Sequence, residues 1–275
     1  MNNIKQKNWL ELIIESNKTE LDILSAFFQN RSMGMIDNHS SISIFFSNNI
    51  KDSIEKKLMC YNKNYQFRWS WNSVTDEDWH LTWKDRFIPI KIGNKITILP
   101  SWDNNIYSEI NVKIEPGRAF GTGHHQTTHL AIELLEKLVS GTSRVLDLGA
   151  GSGILSIVSS FLGSEKIDSV EIDSDCIENF KTNLILNKKE NKINFYNSNV
   201  LEWKKFNYDI IVANINKNII LKLIPNLKGI KSKIILTGLL KEDELSISDE
   251  CKKNNMIINL IITKDEWIAM EIESV

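Results

Sequence analysis

Apolar residues recur along this chain in two rhythms: a mixed α+β pattern over the first 75 residues, and a strand-helix alternation from Val145 onward. Residues 9–16 (Trp9-Leu10-Glu11-Leu12-Ile13-Ile14-Glu15-Ser16) read as a strand. From Thr19, a candidate N-cap, apolar groups fall at helical spacing as far as Phe28. Residues 41–46 alternate as a second strand, 50–61 form a lysine-bearing amphipathic helix, and 65–71 alternate again. Residues 1–75 are therefore expected to form a small α+β domain. Asp76-Glu77-Asp78 then cap a short helix in which Trp79 and Trp83, four apart, share a face. The expected linker is 76–86, its tryptophans serving as packing between domains, and the second domain is 87–275.

Short strands at 88–90 and 95–100 lead into a loop of unusual composition, 114–128, and a helix expected from about His129 to Val139. Strands at 144–148, 167–172, 192–196, 208–213 and 232–237 then alternate with helices at 153–162, 174–187 and 216–227. Residues 255–262 and 267–272 complete the pattern as an antiparallel hairpin at the sheet edge. The expected fold class is α/β: a doubly wound, mostly parallel Rossmann-like sheet with helices on both faces, preceded by the smaller α+β domain.

Composition narrows the reading only slightly. Of 275 residues, 42% are apolar, enough for a sizeable core, and 33 Lys+Arg against 35 Asp+Glu give a net charge of −2. Nothing in that balance points to a nucleic-acid or membrane-surface partner. The three cysteines, Cys60, Cys176 and Cys251, are far apart and form no Cys-x-x-Cys, so a reducing compartment is expected. The first residues lack an apolar signal core and no run reaches about 18 apolar residues, so the expected location is cytoplasmic.

Chemistry enters at Val145-Leu146-Asp147-Leu148-Gly149-Ala150-Gly151-Ser152-Gly153-Ile154-Leu155, which reads as strand, tight loop, helix. The glycines suit a small-molecule cradle. A dinucleotide fingerprint would have its third glycine at 154, where Ile154 stands; the shift to Gly153 favours S-adenosylmethionine over NAD. Glu171 ends the next strand about twenty residues beyond the first glycine, where a carboxylate can accept both ribose hydroxyls. Asn214, in Ala213-Asn214-Ile215-Asn216 past the fourth strand of the alternation, is the catalytic candidate. Methyl transfer needs a nucleophile with a free lone pair, and a neutral amide oxygen can hold an amine N–H without locking the amine as ammonium. His124 and His125 offer a proton acceptor or a structural hydrogen bond; their neighbourhood lacks a third ligand, so no metal is expected.

In these residues the chain resembles the PrmA family of ribosomal protein L11 methyltransferases, over nearly its whole length. Glu115-Pro116-Gly117-Arg118-Ala119-Phe120-Gly121-Thr122-Gly123-His124-His125-Gln126-Thr127-Thr128 is similar to that family's E/D-P-G-x-A-F-G-T-G-x-H-x-T-T signature. Asp78-Trp79 with Trp83, Pro100-Ser101-Trp102, Val212-Ala213-Asn214-Ile215 and Thr237-Gly238-Leu239-Leu240 resemble further blocks. The resemblance implies a class I methyltransferase sheet and an N-terminal substrate-recognition domain. It also implies S-adenosylmethionine as donor and methylation of lysine ε-amino and N-terminal α-amino groups on ribosomal protein L11, free or ribosome-bound. The enzyme would be monomeric, with no direct nucleic acid required and no membrane. Cofactor contacts carried over fall on Thr128, Gly149, Gly151, Glu171 and Asn214, with Phe120 and Gly121 lining the site. Glu171 departs from the family's usual aspartate and Asn216 from its usual apolar residue; Asn199 occupies the place where many methyltransferases put an acid near the adenine.

Three other readings compete. One is a methyltransferase of a glutamine amide or nucleobase amine, against which Asn214-Ile215-Asn216-Lys217 lacks the Asn-Pro-Pro-aromatic pattern. The others are an NAD-dependent oxidoreductase, opposed by the glycine spacing, and a non-catalytic adenosine-binding module.

Overall fold

A computed structural model describes residues 9–28, 32, 34–37, 40–47, 50–74, 87–115 and 121–275. Two compact units divide the chain, Met1–Ile88 and Pro89–Val275. The expected linker helix at 76–86 lies outside the described residues.

The first unit runs β1 (Trp9–Glu15), α1 (Lys18–Phe28), β2 (Gly34–Asp37), β3 (Ser41–Ser47), α2 (Lys51–Tyr61) and β4 (Arg68–Val74). Its sheet has the order β2-β3-β1-β4, all neighbours antiparallel. This is the split βαβ arrangement of ferredoxin-like domains. Leu12 and Ile14 of β1 and Ile42, Ile44 and Phe46 of β3 alternate onto one face, where Leu21, Leu24 and Phe28 of α1 and Ile54 and Leu58 of α2 bury them. The strand β4 starts three residues later than its apolar alternation suggests, because Asn62 to Tyr65 turn the chain and backbone amides at 62–65 bond back to α2 carbonyls.

In the second unit, β5 (Ile90–Ile92), β6 (Ile96–Pro100) and β7 (Ile110–Ile114) make a three-stranded sheet. After α3 (Gln126–Leu138) come β8 (Arg144–Leu148), α4 (Ile154–Phe161), β9 (Lys166–Glu171), α5 (Cys176–Leu186), β10 (Ile193–Asn197), β11 (Ile210–Asn214), α6 (Lys217–Leu223), β12 (Lys233–Leu240), α7 (Glu244–Lys253), β13 (Met256–Lys264) and β14 (Trp267–Ser274). The main sheet has the order β10-β9-β8-β11-β12-β14-β13. It is parallel from β10 to β12, with β14 and β13 antiparallel beside it. Every residue of β11 is buried, as expected of a strand covered on both faces. Leu146 and Leu148 of β8 pack with Ile220 and Leu223 of α6 and Ile247 of α7, whereas Asp147 between them faces α4.

Further departures from the sequence expectations concern the start of α3, the end of α6 and three added elements. Helix α3 begins at Gln126, not His129, because the His125 ring caps it: Nδ1 accepts from the Thr127 N–H at 3.3 Å. Thr127 and Thr128 therefore lie in its first turn, not in the loop before it. Beyond α6 the chain tightens into a 3₁₀ turn, Ile224–Leu227, because Pro225 has no N–H to continue the helix. The strands β2 and β7 and the helix α7 are additional to those expected; α7 buries only Ile247 and Cys251, too little to print a clear helical stripe.

Candidate functional site

The chain leaves β8 for one side of the sheet and enters β11 on the other, so the crevice at their carboxyl ends is the switch point where open α/β sheets bind ligands. Gly149 (φ 80°) turns the chain out of β8. A Cβ there would stand 2.3 Å from Ile215 Cγ2, so only glycine lets the loop after β11 approach this closely. Ile215 is held from the other side too: a Cβ on Gly238, in the β12 bulge, would stand 2.2 Å from the Ile215 carbonyl oxygen.

The amides of this loop are used internally. Gly149 and Ala150 N–H donate to the Val170 carbonyl at 2.8 and 3.1 Å, Gly153 N–H to Ala150, and Gly151 N–H to Glu171 Oε2 at 3.0 Å. The N-terminus of α4 is likewise filled by a side chain: Asp147 Oδ2 accepts from Ser156 N–H at 3.1 Å and Ser156 Oγ at 2.6 Å. A pyrophosphate needs free amides and an open helix N-terminus, and here a carboxyl group stands in that position. The arrangement disfavours a dinucleotide.

Asp147 is fully buried, and its second oxygen, Oδ1, has no hydrogen-bond partner among the described residues. Burial pushes its carboxyl up to about 7, against the pull of the two Ser156 hydrogen bonds and with the Glu171 charge adding to the rise. Glu171 ends β9; its Oε1 accepts from Asp173 N–H at 2.9 Å, so each oxygen holds one backbone amide and keeps a lone pair for a further donor. Ile172, next in the chain and 62% exposed, offers a flat apolar surface beside that carboxylate.

Asn214 ends β11 and is 9% exposed. Its Nδ2 donates to Thr128 Oγ1 at 3.5 Å, the outer limit of a hydrogen bond, while its Oδ1 has no hydrogen-bond donor among the described residues. Thr128 itself is fully buried in the first turn of α3. Gly121 is brought to the glycine loop, its carbonyl accepting from Ser152 Oγ at 2.6 Å. Phe120 lies outside the described residues. Of the expected site residues, then, Gly151 meets Glu171, Gly149 bonds to Val170 just before that acid, Asn214 meets Thr128, and Gly121 joins the loop through Ser152. Asn199 uses its side chain locally, accepting from Leu201 N–H at 3.0 Å.

The histidines divide by role. His125, besides capping α3, sets its Nδ1 2.8 Å from Thr127 Oγ1 and its ring edge-on to Trp267. His129 was not expected in the site: its Nε2 lies 2.9 Å from the Gly123 carbonyl, so a neutral ring carries its proton there and donates it. Burial, with the Lys264 charge second, lowers His129 to about 4, too weak a base to take a proton from an amine at neutral pH. Ser152 and Asn183 are the other residues missing from the sequence reading. Ser152 sits inside the glycine motif; Asn183 betrays itself only as a fully buried amide in α5. Among the described residues no group of three or more His, Cys, Asp and Glu could hold a metal ion.

Sheet order, glycine loop and strand-end acid together define a Rossmann-like methyltransferase fold. The sequence profile of the family described as ribosomal protein L11 methyltransferase (PrmA) matches residues 6–274, and the chain belongs to that family. The ribosomal protein L11 methyltransferase of Ruminiclostridium cellulolyticum is 36% identical over 209 residues, 73% of this chain and 66% of that protein. Its counterpart in Acetivibrio thermocellus is 36% identical over 72% of this chain and 64% of its own length. The chain thus covers just under two thirds of the length of these relatives. The crystal structure of the ribosomal protein L11 methylase of Lactobacillus delbrueckii subsp. bulgaricus superposes with a TM-score of 0.64 at 28% identity, covering 68% of this chain and 99% of that one.

Proposed function

We propose that this chain is a cytoplasmic, monomeric methyltransferase that moves methyl groups from S-adenosylmethionine to lysine ε-amino and N-terminal α-amino groups of ribosomal protein L11. Family membership supports the substrate, and one observation carries the chemistry. The open Oδ1 of Asn214 is steadied by Thr128 at the switch point, beside a glycine loop whose helix N-terminus is already filled by Asp147.

When bound, S-adenosylmethionine supplies a methyl group already attached to its leaving group. Glu171, with its remaining lone pairs, would accept hydrogen bonds from the ribose hydroxyls; Ile172 would offer the adenine an apolar surface; and Gly149 and Gly151 would allow close approach. Asn214 Oδ1 accepts one N–H of a neutral amine and aims the nitrogen lone pair at the reacting carbon. A carboxylate at 214 would instead favour the ammonium ion, which has no lone pair to give. The ferredoxin-like unit is assigned to recognition of the protein substrate and 87–275 to the transfer itself.

The test is incubation with radiolabelled S-adenosylmethionine and, separately, purified ribosomal protein L11, bulk ribosomal protein and RNA. Label in L11 is the expected result. Label in RNA alone would transfer the assignment to a nucleobase methyltransferase, and label nowhere would leave a binding module.

A further inference from the structure

Strand β7 is the outer strand of its sheet, and its exposed backbone edge is met by side chains instead of another strand. Helix α5 presents Asn179, Asn183 and Asn187, four apart and so on one face. Asn187 accepts from Lys113 N–H at 2.9 Å and donates to the Lys113 carbonyl at 2.6 Å; Asn179 donates to the Glu115 carbonyl at 2.8 Å. Asn183, fully buried, accepts from Glu115 N–H at 2.7 Å with Oδ1 and donates from Nδ2 to the Ser152 carbonyl at 2.9 Å. Ser152, also buried, turns its hydroxyl the other way, donating to the Gly121 carbonyl. Glu115 and Gly121 flank the signature residues 116–120, and both are tied to the glycine loop through this one pair of side chains.

We propose that Ser152 and Asn183 are positioning residues for cofactor binding, holding Glu115 and Gly121 against the glycine loop. The proposal rests on the S-adenosylmethionine reading above. A leucine at 183 would fill the seam between α5 and β7 but leave the Glu115 N–H and the Ser152 carbonyl without their partner. A buried amide satisfied at both ends is directional, and it fixes one register of Glu115 against Ser152. Asn187 performs the mechanical part of the job, since it holds β7 to α5 and touches neither loop.

Calorimetric binding of S-adenosylhomocysteine, with melting temperatures recorded in parallel, separates the roles. Ser152→Ala should weaken binding about tenfold, the loss of roughly one buried hydrogen bond. Asn187→Ala should lower the melting temperature and leave affinity within twofold of wild type. Asn183→Asp carries its own internal control. A neutral carboxylic acid can still donate to the Ser152 carbonyl while accepting from Glu115, whereas the ionised form cannot donate. Its dissociation constant relative to wild type should therefore rise several-fold between pH 5.5 and 8.5. Affinities within twofold of wild type for both Ser152→Ala and Asn183→Asp across that range would overturn the proposal. So would an Asn187→Ala defect as large as that of Ser152→Ala. If the wild type binds no S-adenosylhomocysteine, the cofactor reading fails and this proposal with it; if the wild type binds and the variants bind equally well, only the positioning role is lost.

Discussion

Asn214 carries the sharpest expectation at the scale of single residues. Replacing it with alanine removes the only group proposed to aim the amine, and turnover should fall on the order of a hundredfold or more while cofactor affinity changes little. Asn214→Asp should shift the rising limb of the pH–rate profile to higher pH, because a carboxylate stabilises the ammonium form. An aspartate variant that overlays the wild-type profile in height and position would remove Asn214 from the mechanism. Glu171→Ala removes proposed ribose contacts and also releases Gly151 N–H and Asp173 N–H. Titration calorimetry should register a loss of roughly 2–4 kcal/mol in binding S-adenosylmethionine. Asp147 gives a stability signature. Its folded value of about 7 lies above its ordinary 3.8, so the fold favours the protonated form. That contribution is complete below about pH 4 and is lost as pH rises through 7, a few kcal/mol in all. In the Asp147→Asn variant the carboxamide does not titrate. The melting temperature of that variant should therefore gain on wild type as pH goes from 5 to 8, and a constant gap would refute the buried-acid assignment.

At the scale of elements, the loop after β11 is set from two sides, and Gly238 tests the clasp. Gly238→Ala would press a methyl group into the Ile215 carbonyl, so the loop carrying Asn214 must move. The expected result is a melting temperature lower by several degrees, from overpacking of about 1–3 kcal/mol, with a loss of turnover beyond that of a neutral surface variant. The same scale shows what the sequence reveals and what it hides. The strand β11 is legible because a parallel strand buried on both faces is written as an unbroken apolar run, Ile210 to Ala213, and β12 opens with the same signal, Ile234 to Leu236; β8 and β9 carry Asp147, Asp168 and Ser169 inside them and are read from the glycine loop and the acid that end them. The start of α3 is hidden because its cap is a histidine ring, outside the usual serine, threonine, asparagine and aspartate set. The strand β7 does carry a period-2 signal, Ile110, Val112 and Ile114 turned inward, but it is only five residues long and runs straight into the signature loop, which masks it as part of that loop. Glu171 and Asn214 are visible as polar residues ending apolar runs; Asn183 is not, since its purpose exists only once α5 lies against β7.

For the whole molecule, the division into Met1–Ile88 and Pro89–Val275 separates a ferredoxin-like unit with its own core from the methyltransferase fold. A fragment of residues 87–275, shown by a cooperative melt to be folded, should bind S-adenosylmethionine nearly as the full chain does yet lose methylation of ribosomal protein L11. Methylation at the full chain's rate would remove substrate recognition from the first unit. The fold class follows from the strand-helix alternation that sets in at Val145. The ferredoxin-like order of the first sheet does not, because β2 has four residues and pairs only with β3.

The position of β14 governs when the molecule can become competent. It is made after every other strand of its sheet, yet it lies inside the sheet between β12 and β13 and supplies the Trp267 ring beneath His125, the cap of α3. While a ribosome is still adding residues 267–274, β12 has a bare edge, β13 has no neighbour, and the helix bearing Thr128 lacks the ring on which its first turn rests. A nascent chain is therefore unable to finish its own site however far its glycine loop has folded, and its open β12 edge is the place where a stalled chain would pair wrongly with another copy.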